Sequence, residues 1–348
     1  MKFIRLPEER ERRLVFYLAM EEYLARYCEG GAFFVWQVDP TVIIGRNQAM
    51  AAEVNMEYCR ENGVHVYRRK SGGGCVYSDR GNLMLSYITD GDDVPFLFES
   101  YLRRLALCLR KIGIMAEVSG RNDITVGGKK ISGNAFYSLH GRNVIHGTLL
   151  FSSCRDALER AITPSAGKLR SKGVSSVRQR VANLSEIMAS SEKGRRYSDI
   201  ELFKKYIKDS FCDGERVLGE DEVRRIEEIE ATYLDPVFLY GNDPACSYSY
   251  EMQVSGSGTL SASVCLRHGA IEKVNLSGDY FQLHDGLEDA LNGRLCGVIP
   301  DRKSVRNALA GLDPGSFVCG LDIDMLASAF ATVRNDDGVQ DDVVRPCL

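Results

Sequence analysis

The sequence contains no CxxC pair and no cysteine–histidine cluster with zinc spacing, although cysteine occurs eleven times in 348 residues. An odd number of scattered thiols argues against a disulfide framework. It predicts reduced cysteines in a cytoplasmic protein, most of them small apolar core residues. No run approaches the roughly 18 consecutive apolar residues of a membrane helix, so no membrane association is expected. A basic excess is also missing. The net charge of −4 gives no electrostatic footprint for nucleic acid. The first residues carry several glutamates and no short apolar core before a small-residue cleavage site. They predict neither a secretory signal nor an acid-poor transit peptide. There is no internal repeat and no low-complexity tract. G-x-x-x-x-G-K-[ST] and a helix-opening G-x-G-x-x-G are both absent, so a nucleotide would have to bind by another scheme.

Apolar residues make up 44% and charged residues 26%, an ordinary globular composition in a chain long enough for two domains. Residues 8–29 read as an amphipathic helix with Leu14, Leu18 and Leu24 near one face and Arg and Glu on the other. Strands are expected at 33–38, 41–44, 65–68, 75–78 and 83–89, interrupted by a helix at about 49–61. A helix at 96–112 starts after Pro95 and closes at Gly113. Strands at 123–126, 130–137 and 143–151 lie close together, as antiparallel hairpins do. Residues 198–233 read as helical and charged. The turn-rich Gly241-Asn242-Asp243-Pro244 suggests a boundary between domains 1–243 and 244–348. Beyond it, strands at 249–254, 260–266 and 270–277 precede helices near 283–293, 301–310 and 323–332. The last residues are polar and acidic. The expected class is α+β with a small second domain.

Four segments carry chemistry. In Arg68-Arg69-Lys70-Ser71-Gly72-Gly73-Gly74-Cys75-Val76-Tyr77, three cations run into three glycines. Consecutive glycine N–H groups can form an anion nest, and guanidinium groups can grip a carboxylate or phosphate. A glycine-rich hairpin with solvated charges is the plain alternative. In Asn122-Asp123-Ile124-Thr125-Val126-Gly127-Gly128-Lys129-Lys130-Ile131-Ser132-Gly133, a two-glycine turn precedes Lys130. Taken alone this is a solvent-facing turn. If Lys130 faces a pocket, it can stabilise charge developing on an acyl or phosphoryl oxygen. His146, inside an apolar strand, reads first as a hydrogen-bonded core residue. Finally, five basic and no acidic residues lie between Ala161 and Leu184, among them Lys172, Arg178 and Arg180. They form either a local positive field for a phosphate-bearing ligand or a basic surface loop.

In their order along the chain these segments resemble the lipoate–protein ligase A family. The likeness runs through Ile43-Ile44-Gly45-Arg46-Asn47-Gln48, the RRKSGGGCVYSDRGN run ending at Asn82, and Gly120-Arg121-Asn122-Asp123. It continues through Lys130-Ile131-Ser132-Gly133, His146-Gly147-Thr148-Leu149-Leu150, and Lys172-Gly173-Val174-Ser175-Ser176-Val177-Arg178 to Asn183-Leu184. Leu276-Ser277-Gly278-Asp279-Tyr280-Phe281 is similar to the family's accessory-domain signature. The resemblance implies a fold shared with biotin ligases and class II aminoacyl-tRNA synthetase cores, mainly antiparallel, with a small α+β C-terminal domain. It implies that lipoate and Mg²⁺-ATP give lipoyl-adenylate. The lipoyl group then passes to a lysine of a 2-oxoacid dehydrogenase E2 lipoyl domain or of glycine-cleavage H protein. By position, Arg69, Ser71, Gly72, Gly73, Lys130 and His146 would meet lipoate. Arg69, Gly74, Cys75, Val76, Tyr77, Asp123, Lys130, Lys172 and Arg178 would meet ATP or the adenylate. Lys130 would be the catalytic lysine, and Asp123 is a candidate Mg²⁺ ligand.

Two positions depart from the family pattern. Ser78 stands where histidine is usual, and Cys75 where alanine is common. Two other readings compete: an ATP-independent octanoyl or lipoyl transferase with Cys75 or Cys154 as nucleophile, and a non-catalytic module that holds lipoyl domains. A biotin ligase fits less well, because RRKSGGG replaces the GRGRRGR-type loop.

Overall fold

A computed structural model describes residues 1–8, 10–162, 180–240 and 247–331. The chain divides into two compact units. The first comprises Met1–Ile44, Met50–Lys70 and Cys75–Tyr240; the second comprises Gly45–Ala49, Ser71–Gly74 and the chain after Tyr240.

The first unit contains strands β1 (Lys2–Arg5), β2 (Ala32–Trp36), β3 (Thr41–Ile44), β4 (His65–Arg68), β5 (Val76–Ser78) and β6 (Asn82–Asp90). It continues with β7 (Ala116–Ser119), β8 (Asp123–Val126), β9 (Lys129–Leu139), β10 (Arg142–Leu150) and β11 (Gly214–Val217). Eight of them form one sheet in the order β11-β1-β2-β6-β10-β9-β8-β7, and β4-β3-β5 form a second. The run from β2 through β6, β10, β9 and β8 to β7 is antiparallel. Parallel pairing occurs at β1–β11, β1–β2 and β3–β4. The short strands β1, β7 and β11, absent from the sequence reading, are four residues each. Each carries a charged residue and buries at most one side chain, so its apolar signal is weak, whereas β3, β4 and β8, equally short, stand where the sequence predicts them. The stretch 198–233 is therefore two helices, Ile200–Phe211 and Glu220–Tyr233, with β11 between them.

The first helix spans Leu14–Tyr27, shorter than the expected 8–29. Leu14, Leu18 and Leu24 are buried as expected, but so are Glu21 and Glu22. A helix this enclosed keeps carboxylates inside only by pairing them. The expected 49–61 helix is two pieces, Met50–Glu53 and Met56–Glu61. The break lies where Val54 bridges Ile162 and Asn55 caps the second piece by accepting from the Tyr58 N–H at 3.1 Å. The next helix, Val94–Lys111, begins one residue before Pro95, with Asp93 accepting from the Phe96 N–H at 3.0 Å. Proline fits inside the first turn because the N–H it lacks would have no helical partner there.

The second unit holds β12 (Tyr248–Val254), β13 (Gly258–Arg267) and β14 (Ala270–Tyr280) as an antiparallel sheet. Helices Leu287–Leu295, Arg302–Ala308 and Ile323–Phe330 contribute to its own apolar core. The segments Gly45–Ala49 and Ser71–Gly74 are tied to β14. Gly278 N–H donates to Asn47 O at 2.8 Å, and Gly73 N–H to Tyr280 O at 3.1 Å. At Gly72 a Cβ would sit 2.2 Å from Tyr280 O, so only glycine permits this approach. Among the described residues no helix is long and apolar enough to cross a membrane.

Candidate active site

Val126 pairs with Lys129 across a two-residue turn in which Gly127 and Gly128 both have positive φ, 55° and 77°. This is the backbone a tight hairpin with right-handed strand twist requires. The register then slips. Thr125 faces Lys130 while Ile124 faces Ser132, leaving Ile131 as the extra residue of a bulge. Bulges re-aim side chains. Ile131 and Ser132 are both fully buried, and Lys130 is turned along the strand over Gly133.

From there Lys130 Nζ lies 2.7 Å from Asp123 Oδ1, and Arg180 Nη2 lies 2.5 Å from Asp123 Oδ2. The Asp123 side chain is 10% exposed and the two cations 22% each. Burial alone would raise the Asp123 carboxyl, but the charges of Lys130 and then Arg180 outweigh it and hold it below the usual aspartate range. At Oδ1 the charge of Lys130 counts for more than its hydrogen bond. The main chain is tied as well: Val181 bridges Lys130 in parallel, and Ala182 N–H donates to Lys130 O at 2.9 Å.

A polar clamp fixes the two strands that carry this cluster. Asn134 N–H and Nδ2–H both donate to Asn122 O at 3.0 Å, and Asn122 Nδ2–H returns to Asn134 O at 2.8 Å. Gly147 faces Asn134 across β9–β10, and a Cβ there would lie 1.9 Å from Asn134 Oδ1. One strand position away, His146 Nδ1 lies 2.9 Å from Glu21 Oε2. Glu21 Oε1 accepts from Ser86 Oγ–H at 2.5 Å, and Ser86 Oγ accepts from Trp36 Nε1–H at 2.9 Å. Glu21, Asn134 and the pairing of Arg180 with Asp123 are not anticipated by the sequence motifs. Glu21 did leave a signal: an acidic residue three positions after Leu18 and three before Leu24, on the helix's apolar side.

The lipoyl protein ligase A/B catalytic domain model matches residues 14–212. Lipoate–protein ligase 1 of Staphylococcus aureus is 34% identical over 304 residues, which are 85% of this chain and 90% of that protein. The chain belongs to the lipoate–protein ligase family. A solved lipoate–protein ligase A bound with ATP is 26% identical with a TM-score of 0.54, covering 68% of this chain and 98% of its own. A bipartite lipoate protein ligase from Thermoplasma acidophilum, solved in a study with its E2 lipoyl domain, is 27% identical with a TM-score of 0.56. That match covers 69% of this chain and 96% of its own. The mixed α+β architecture is the one this ligase family uses.

Within this ligase, the expected site residues fall in three groups. Lys130, Asp123 and His146 lie on neighbouring strands β8, β9 and β10. Arg69, Cys75, Val76 and Tyr77 belong to the β4-β3-β5 region of the same unit. Arg69 N–H donates to Ile44 O at 3.0 Å, and its buried guanidinium donates to Ile43 O at 3.1 Å. Val76 faces Ile43 and Tyr77 faces Val42, with the Tyr77 phenol pushed above its ordinary range by burial and then by Asp79. Ser71, Gly72, Gly73 and Gly74 belong to the second unit. Lys172 and Arg178 lie outside the described residues.

The two departures resolve locally. Ser78 is fully buried and accepts from Asn82 Nδ2–H at 3.1 Å, so the position serves as a core hydroxyl. Cys75 is partly buried. The neighbouring Asp79 carboxylate accepts Gly81 N–H at 2.9 Å and Cys154 N–H at 2.8 Å, which makes it a turn-holding group. Asp123 does not suit Mg²⁺ in this arrangement, since each of its oxygens faces a cation. Among the described residues no three His, Cys, Asp or Glu side chains converge on a metal site.

Proposed function

We propose that the protein is an ATP-dependent lipoate–protein ligase that forms lipoyl-adenylate and passes the lipoyl group to a lysine of a lipoyl domain or glycine-cleavage H protein. The observation that carries this reading is Lys130, held beside a buried carboxylate and a second cation in a chain of the ligase family. The ATP-bound relative supports the nucleotide, and the relative solved with its E2 lipoyl domain supports the acceptor class. Chemically, a lipoate carboxylate oxygen attacks the α-phosphorus of Mg²⁺-ATP, and pyrophosphate leaves. The acceptor amine then attacks the acyl carbon, and AMP leaves. Mg²⁺ enters with the nucleotide as part of the substrate, consistent with its habit of binding through phosphates. Both reacting groups in the first step are anions, so a preorganised cation lowers the barrier by opposing their repulsion. Lys130 fills that role, and Arg69 supplies a further cation. The reading places the enzyme in the cytoplasm, where its acceptors would be made.

The test is lipoate-dependent exchange of pyrophosphate into ATP. Wild-type protein is expected to support it, and Lys130→Ala to lose about 10²–10³-fold of it while keeping its far-UV and near-UV circular dichroism. Lipoyl transfer without ATP or exchange would point instead to the transferase chemistry.

A further inference from the structure

Asp123 is one carboxylate shared by two cations, and the sharing has an arithmetic consequence. With Lys130 and Arg180 both charged and Asp123 ionised, the cluster carries a net charge of about +1. Without Arg180 it would be neutral, and Lys130 would face its substrate with its charge cancelled by Asp123. The two cations do not compete for one oxygen: Lys130 takes Oδ1 and Arg180 takes Oδ2. Arg180 is also continuous with the residues that hold the Lys130 main chain, Val181 through its bridge and Ala182 through its N–H. A single short segment thus controls both the backbone and the electrostatic surroundings of Lys130.

Resting on the ligase reading, we propose that Arg180 is a positioning residue whose charge, delivered through the shared Asp123 carboxylate, keeps Lys130 available as the cation for the reacting oxygens. Arg180 acts on the reaction through Lys130. Its removal therefore lowers turnover more than it weakens ATP binding. Because the effect is one of charge balance, removing the opposing carboxylate at the same time restores it.

The experiment uses the full-length protein and compares Arg180→Ala, Arg180→Lys, Asp123→Asn and the Asp123→Asn/Arg180→Ala double variant in lipoate-dependent ATP–pyrophosphate exchange. Arg180→Ala is expected to lower kcat by about tenfold or more with little change in KM for ATP, the signature of an interaction used in the transition state. Arg180→Lys should keep most of the rate, and the double variant should turn over faster than Arg180→Ala alone. A rise in KM for ATP with kcat preserved would overturn the proposal in favour of direct nucleotide binding by Arg180. A double variant no faster than Arg180→Ala would overturn it equally. A second readout does not depend on activity. In carboxyl-detected NMR, Asp123 of Arg180→Ala should titrate closer to its ordinary value of 3.8 than in wild type. An unchanged titration would show that the pair is not formed in solution. Absence of exchange in wild type would remove the ligase reading, while the titration would still report on the pair.

Discussion

Gly133 and Gly147 show how side-chain absence builds this site. Over Gly133 the obstacle to a methyl group is the tip of Lys130, 2.5 Å away, the end of a long side chain paired with Asp123. Over Gly147 it is the Oδ1 of Asn134 at 1.9 Å, on a short side chain already engaged with Asn122 and Ser132. The two substitutions should separate. Gly133→Ala is expected to lower exchange activity sharply, because Lys130 is displaced, with Tm changed by only a few degrees. Gly147→Ala is expected to cost about 1–3 kcal/mol of stability as the Asn122–Asn134 clamp opens. Chemical denaturation beside the exchange assay distinguishes them, and equal losses of stability would refute the distinction. At this scale the sequence was only half legible. Gly127-Gly128-Lys129-Lys130 reads as a hairpin with a cation, which it is. The bulge at Ile131 that turns Lys130 toward Asp123 leaves no pattern, because one inserted residue looks the same as one fewer alternation.

Length alone did not decide which elements were legible, since β3, β4 and β8, four residues each, stand at their expected places. The antiparallel strands β6, β9 and β10 and the helix Val94–Lys111 stand near their expected places, while the four-residue edges β7 and β11 do not announce themselves. The helix Leu14–Tyr27 follows from periodicity, but its buried Glu21 and Glu22 do not, since periodicity counts glutamate as solvent-facing. Glu22 pairs with Lys70 at 2.6 Å and with Arg26 at 2.5 Å, and accepts from Tyr233 Oη–H at 3.1 Å. Burial works to raise its carboxyl, but Lys70 and then Arg26 pull it below its ordinary value. A depressed folded-state pKa means the stabilisation is present above the unfolded value of 4.5 and is lost as pH falls through the depressed one. Glu22→Gln should therefore be less stable than wild type near neutrality, with the gap closing below about pH 4.5. Urea unfolding at pH 7 and pH 3.5 checks this; a gap that is constant or wider in acid would contradict it.

At the scale of the molecule, the second unit is discontinuous in sequence. The sequence placed the division near residue 243, and nothing in local composition could reveal that Gly45–Ala49 and Ser71–Gly74 belong with the later chain. Such an association is made by long-range backbone hydrogen bonds, and any sequence can supply backbone groups. A chain ending at Tyr240 would lack the acceptor for Gly73 N–H and the donor to Asn47 O. Hydrogen exchange at the Gly73 amide should be faster in that truncated protein than in the full chain. Equal protection in both would mean that Gly73 finds its protection elsewhere.

The same long-range ties set a timetable for the nascent polypeptide. Strand β1 is made long before its partner β11, which follows residue 213. The glycine segment at 71–74 waits about as long, until Tyr280 has been added. At about 5–20 residues per second that interval is on the order of 10–40 s. The glycine-rich stretch is thus secured late, and anything that shields it in the meantime contributes to the yield of active enzyme.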